Sequence, residues 1–332
     1  MAGGEPGRAL PGHLPADRGR PGPLEPDPGK LTRLRTADAL GVAAMLAWGA
    51  AYVPSAWLVE TWPPILAAGA RLTVAGVLLL ALLAMLGRPL RPGVGPSMVG
   101  WLALTQTTLF YGAVFWGIAQ EGAGLPAVLA NTDPLFVAVL AAVFLGELLT
   151  GRQWSGLLIG LVGAAVVVWD GPLWPPALST GALVVVGGAL AWSIGTVVAA
   201  RGVRGRAEPL ALAGWQMTLG GAVLAVAGLI VEGPPDATGI REVALIVLLA
   251  TVGSALPLAL FYIALMQAPA AEVSAWFFLV PVVGVLTAWP LLGETPTAQL
   301  LVGMAGVSAG LWFVLGPKAS GRGRLVDSPT PP

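Results

Sequence analysis

From residue 37 to residue 316 the chain alternates apolar runs of about 16 to 23 residues with short polar interruptions. A helix rises about 1.5 Å per residue, so about 20 residues cross the roughly 30 Å hydrocarbon layer of a bilayer. Ten spans are predicted: Ala39–Val59, Pro64–Leu86, Ser97–Ala119, Gly124–Leu145, Trp154–Trp169, Thr180–Ala200, Pro209–Val231, Val243–Leu265, Ala271–Leu292 and Ala298–Leu315. The fold class expected is an all-α integral membrane protein. The first 36 residues hold seven prolines, seven glycines and six Lys or Arg residues without apolar periodicity, so residues 1–36 read as a disordered tail. No continuous apolar segment follows the basic start, so a cleaved signal peptide is not expected. Residues 317–332 read as a second tail.

The apolar pattern occurs twice. Residues 97–163 and 244–310 align without a gap at a spacing of 147, with Gln120 on Gln267, Pro134 on Pro281, Leu145-Gly146-Glu147 on Leu292-Gly293-Glu294, Gly156 on Gly303 and Gly163 on Gly310. The short fifth span is supported by its match to the tenth. With slightly different spacing, Leu46-Ala47-Trp48 matches Leu190-Ala191-Trp192, and Pro64, Gly69, Thr73 and Gly76 match Pro209, Gly214, Thr218 and Gly221. Residues 37–170 and 179–316 are therefore two five-helix repeats, and an odd number of spans inverts the second copy in the membrane.

Composition agrees, with 56% apolar residues, 10% charged residues and a mean hydropathy of +0.81. Charge placement sets an orientation, because short cytoplasmic loops are enriched in Lys and Arg. With the N-terminus inside, Arg88, Arg91, Arg152, Arg201, Arg204, Arg206, Lys318, Arg322 and Arg324 share the cytoplasmic side with the basic tail, and only Arg241 falls outside. Both termini are expected in the cytoplasm. The chain has no cysteine, and its single histidine, His13, lies in the N-terminal tail, so zinc ligation and serine-histidine catalysis are not expected in the membrane region. A single deep aspartate, Asp133, is too few for an intramembrane aspartyl protease, and no phosphate-binding Gly-rich loop with Lys-Ser or Lys-Thr is present. The chain is expected to be no enzyme, with no cofactor, metal or nucleic-acid partner.

The ordered set of Ala47-Trp48-Gly49, Ala70-Arg71, the Pro134 to Leu145-Gly146-Glu147 pattern, Gly156 to Gly163, and the repetition at Pro281 to Glu294 and Gly303 to Gly310 resembles the drug/metabolite transporter superfamily. Within it the chain is similar to proteins with two EamA domains. The resemblance implies a multipass carrier of a bacterial inner membrane, exporting a small metabolite, amino acid or toxic compound without ATP hydrolysis. It departs from symmetry where the second unit has Gln216 opposite Arg71. A membrane scaffold or receptor without transport activity is the alternative, though it gives no reason for an inverted repeat with polar groups near the midplane.

Intramembrane polar residues supply the candidate site. An unpaired charge in a span costs about 2.5 to 3.5 kcal/mol on insertion scales, so Arg71 either draws an anionic group of a substrate or is a structural arginine. Asp133 lies at similar depth and is either a coupling proton carrier or the counterion of Arg71. Pro134 and Pro281 are expected mid-helix, kinking it and freeing the carbonyls of Ala130 and Phe277. Asn131 and Asp133 stand about 200° apart on an unbroken helix and share a cavity only if the helix distorts. The candidate substrate-binding residues are Trp48, Tyr52, Arg71, Gln106, Tyr111, Asn131, Trp192, Gln216, Tyr262 and Trp276, because binding cavities are mostly apolar with a few polar groups. Gly156 with Gly160 and Gly306 with Gly310 suit either a homodimer face or close packing inside one chain.

Overall fold

The structure, a computed structural model, describes residues 3, 28–121, 129–168, 179–203, 208–236, 238–292 and 298–315. Among them every regular element is helical: α1 (Pro28–Ala50), α2 (Tyr52–Val59), α3 (Pro64–Met85), α4 (Pro96–Leu102), α5 (Phe110–Glu121), α6 (Asp133–Leu145), α7 (Gly151–Val168), α8 (Thr180–Val203), α9 (Pro209–Val231), α10 (Ile240–Ala250), α11 (Leu256–Leu265), α12 (Ala270–Ala275), α13 (Leu279–Leu292) and α14 (Ala298–Leu315). Six helical stretches are long and apolar enough to cross a membrane, and Asp133–Leu145, Ala270–Gly284 and Leu301–Leu315 are shorter apolar helices. Ten full spans are thus not all present as continuous helices among the described residues. The C-terminal tail, most of the N-terminal tail, the Gly124 start of the fourth span and the Gly293-Glu294 turn lie outside them.

Several spans depart from the predicted straight rods, each for a local reason. The first helix starts at Pro28, inside the segment read as tail and well before Ala39, since a proline at the first helical position lacks only a donor that has no partner there. It is interrupted at Ala51, where α2 begins two residues before Pro54. The third and eighth spans each contain a π-helical turn, Ala103–Leu109 and Thr251–Ala255, at positions that the 147-residue repeat superposes. Pro134 does not sit mid-helix. The chain breaks at Asn131 and Thr132, and Pro134 occupies the first turn of α6, where its missing N–H costs nothing. Pro281 likewise lies in the first turn of α13, behind a 3₁₀ turn at Trp276–Phe278. The proline interior to α13 is Pro290.

Two helix pairs carry the internal symmetry. In each, a helix packs on its own repeat counterpart: α3 on α9, and α7 on α14. Glycines permit the approach. A Cβ at Gly221 would lie 2.5 Å from the Thr73 backbone nitrogen, and one at Gly310 would lie 2.5 Å from that of Gly160. The small-residue spacings in α7 and α14 therefore serve packing within the chain.

The opposite ends of the bundle are marked by their loops. At one end the Glu232 carboxylate accepts the backbone N–H groups of Ile65 and Leu66, 3.2 and 3.0 Å away, and so caps α3, while Arg241 pairs with Glu60 at 3.0 Å. At the other, Arg201 donates to the Phe144 carbonyl and Arg152 to the Trp312 carbonyl, at 2.7 and 2.9 Å, placing cations on helix C-terminal carbonyls. Gly146, with φ of 69°, ends α6 in the left-handed conformation, which gives the Leu145-Gly146-Glu147 motif a helix-stopping role.

Candidate functional site

The breaks in the spans open a cavity of about 700 Å³ of free space, mouth included. Of the residues expected to bind substrate, Trp48, Tyr52, Arg71, Tyr111, Asn131 and Trp192 line it, together with Asp133. The break before α6 explains why Asn131 and Asp133 reach one cavity: the 100° advance per residue of a continuous helix does not apply across the turn.

Arg71 comes from the first third of α3 and is buried. Its Nη1 donates to Ser55 Oγ at 2.9 Å, and its guanidinium lies 5.3 Å from the ring centre of Tyr111 and 5.4 Å from that of Phe115. Its Nε has no hydrogen-bond partner. Asp133 begins α6, where the helix dipole favours a negative group, and is 2% exposed. One of its carboxylate oxygens, Oδ2, also lacks a partner. Arg71 and Asp133 form no ion pair with each other, although both line the cavity. Buried polar atoms are satisfied in the great majority of cases, and here the Trp48 and Trp192 Nε1 atoms lack partners as well, so four cavity-lining residues carry unsatisfied polar atoms.

Aromatic rings form the apolar wall. Trp48 stacks on Phe277 with centroids 5.2 Å apart and meets its repeat counterpart Trp192 edge-on at 5.8 Å. Phe110 lies 4.8 Å from Trp192. Phe277 lines the cavity in place of Trp276, whose ring lies against Gly41 of α1. Phe110, Val114, Phe115, Phe277 and Gly253 are lining residues that apolarity alone could not separate from core, whereas Ser55 shares the helical stripe of Trp48 and Tyr52.

Gln106, Gln216 and Tyr262 do not line this cavity. They are fully buried in an adjoining polar cluster toward the Arg88 end of the bundle. Gln106 Nε2 donates to Thr196 Oγ1 at 3.0 Å, Gln216 Nε2 lies 3.3 Å from both Gln106 Oε1 and Thr107 Oγ1, and the Tyr262 hydroxyl is 2.6 Å from Gln106 Oε1 and in contact with Gln216 Oε1. The sequence shows three polar residues at membrane depth, and a cavity lining is one way to satisfy them. Mutual hydrogen bonding is the other, and it prevails here. Among the described residues no cluster of carboxylates or histidine could hold a metal ion.

Known proteins share this design. Residues 35–169 and residues 179–316 each match the EamA-like transporter family. The chain is 30% identical over 263 residues to the uncharacterized inner membrane transporter YedA of Escherichia coli K12, covering 76% of this chain and 82% of that protein. It is 26% identical over 283 residues to the uncharacterized transporter YvbV of Bacillus subtilis, covering 83% and 90% of the two chains. It is 29% identical over 260 residues to a probable terminal-alkyne amino-acid exporter of Streptantibioticus cattleyicolor, covering 78% and 86%. A solved crystal structure at 22% identity has the same fold, with a TM-score of 0.69 over 84% of this chain and 96% of its own. With two family domains in tandem, a helical bundle of membrane-crossing length and transporters among its relatives, the chain belongs to the EamA-like transporter family and is a multipass membrane transporter of the drug/metabolite type.

Proposed function

We propose that the cavity is the transport site, that its solute is a small zwitterion with an apolar or aromatic body, of the amino-acid type, and that the protein exports it by alternating access. The observation that carries this reading is the pair Arg71 and Asp133, opposite in charge, facing one cavity, unpaired with each other and each left with an orphaned polar atom. A carboxylate on the solute satisfies Arg71, an ammonium satisfies Asp133, and Trp48 and Phe277 receive the apolar body. One relative, named as a probable terminal-alkyne amino-acid exporter, has a solute of this class in its name. The inverted repeat supplies the motion, as two related halves rock about a central site. The basic loops and tail support an orientation with both termini in the cytoplasm, in which the cavity, lined by Ser55 and Arg71 near the Glu60 end, lies toward the outside.

Asp133 gives this site a coupling ion. A buried carboxylate without a cation is costly, so it holds either the solute's ammonium or a proton, and competition between them makes the protein a proton antiporter. The test is flux in sealed proteoliposomes. Arg71→Gln is expected to lower saturable transport of an apolar amino acid at least tenfold with folded protein retained, and Asp133→Asn to remove its dependence on the proton gradient. Wild-type protein that carries no amino acid would contradict the solute class, and unchanged gradient dependence in Asp133→Asn would contradict the coupling.

A further inference from the structure

The two ends of the internal symmetry are built from equivalent positions, yet one holds the large cavity and the other a closely hydrogen-bonded polar cluster. Repeat spacing relates Tyr52 to Thr196, Arg71 to Gln216, Phe115 to Tyr262, and Gly253 to Gln106. The first members of all four pairs line the cavity. The second members are the Thr196, Gln216, Tyr262 and Gln106 cluster, which ties four spans together through side-chain hydrogen bonds. Gln106 and Gln216 are 0% exposed, so water does not compete for those bonds.

The difference at one pair decides the outcome. Gln106 projects from the π turn of the third span and fills the space between α8, α9 and α11. Its counterpart in the π turn of the eighth span is Gly253, which lines the cavity, has no side chain to offer a hydrogen bond, and would bring a Cβ to 2.9 Å from that of Ala51. Closing the Glu60 end would bring Tyr52, Arg71 and Phe115 together with no amide at the position equivalent to Gln106.

We propose that Gln106, Gln216, Tyr262 and Thr196 are the gate at the Arg88 end of the pathway, and that its hydrogen bonds, absent from the related Glu60 end, set the resting protein with that cavity open. This rests on the alternating-access reading of the function. The cluster acts on the equilibrium between two conformers and touches no solute in the resting state. Loosening it shifts the population toward the conformer open at the Arg88 end, which simultaneously closes the Arg71 cavity.

The chain lacks cysteine, so single reporters label without background. A Val114→Cys reporter reads the cavity, and an Ala199→Cys reporter, one turn beyond Thr196 on α8, reads the space behind the gate. Both are placed in full-length protein in liposomes and labelled with maleimides. Tyr262→Phe keeps the ring and removes the hydroxyl that meets both amides; Thr196→Val removes one bond and serves where the first variant folds poorly. The expected result is opposite changes: about tenfold faster labelling at Ala199→Cys and correspondingly slower labelling at Val114→Cys in Tyr262→Phe, with a smaller shift of the same sign in Thr196→Val. Unchanged rates at both reporters, or faster rates at both, would overturn the gate. A control with the gate unaltered separates this from the underlying reading. A bulky maleimide on Val114→Cys is expected to slow labelling of Ala199→Cys in the same chain. Loss of that effect would overturn alternating access itself, whereas its presence with no response to Tyr262→Phe would overturn the gate alone.

Discussion

Arg71 and Gln216 stand at equivalent positions on two helices that pack against each other, but their surroundings differ in kind. The Gln216 amide is saturated by Gln106, Thr107 and Tyr262, whereas Arg71 has Ser55 and two aromatic faces and keeps an unpartnered Nε. The same contrast separates Trp276 from its neighbour Phe277, which stacks on Trp48 at the cavity wall. Phe277→Ala is expected to raise KM for an aromatic solute several-fold, with Trp276→Ala close to wild type, as read by initial rates of uptake into proteoliposomes. Equal effects of the two would contradict the placement of the wall. Trp48, Tyr52 and Arg71 were legible as cavity residues because helical spacing puts aromatic and hydroxyl groups on one stripe and because a charge in a span calls for a reason. Phe277 was not, since an apolar ring at a cavity wall and one in the core look the same in sequence, and which of two adjacent aromatic residues faces the cavity is set by the packing of Trp276 on Gly41. The polar cluster escaped for another reason. Whether Gln106 faces a void or another amide depends on what α8, α9 and α11 bring to it, and that is a tertiary fact.

Among the elements, prolines announced the distortions without fixing their form. A mid-helix proline kinks and one in a first turn does not, so the sequence around Pro134 permits either a bent helix or two helices meeting at Asn131 and Thr132. The second arrangement brings Asn131 and Asp133 to one cavity, which a modest kink would not. The paired π turns left no sequence signal, though the repeat places them at equivalent positions. Glycine was read more directly: the matches Gly69 to Gly214, Gly76 to Gly221 and Gly163 to Gly310 fall where a helix meets its own counterpart. Gly310→Ala would put a methyl group 2.5 to 2.7 Å from the backbone of Gly160 and Gly156, and nothing but helix displacement relieves it. A loss of about 1–3 kcal/mol is expected, seen as a lower Tm in detergent. Gly187→Ala, where nothing lies within 4 Å, should leave Tm unchanged or raise it slightly, and serves as the control.

For the whole molecule, the duplication explains the scaffold and its departures explain the chemistry. Shared prolines and glycines bend and pack both halves, and Trp48 and Trp192 meet between them. The differences gather polarity of two kinds at two places: charge at the Arg71 cavity, and neutral amides and hydroxyls at the cluster around Gln106. Two-repeat organisation was legible in the sequence because residue identities recur at fixed spacing. The division between a cavity and a closed polar cluster was not, because it depends on how the differing counterparts Tyr52 and Thr196, Arg71 and Gln216, Phe115 and Tyr262, and Gly253 and Gln106 meet in three dimensions. The central claim is that Arg71 and Asp133 together select a zwitterion, and the direct measurement is counterflow in proteoliposomes loaded with L-phenylalanine. External labelled L-phenylalanine should exchange, while 3-phenylpropionate, which lacks the ammonium, and 2-phenylethylamine, which lacks the carboxylate, should each exchange at least tenfold less efficiently. Exchange of either truncated compound as efficient as that of L-phenylalanine would contradict the account.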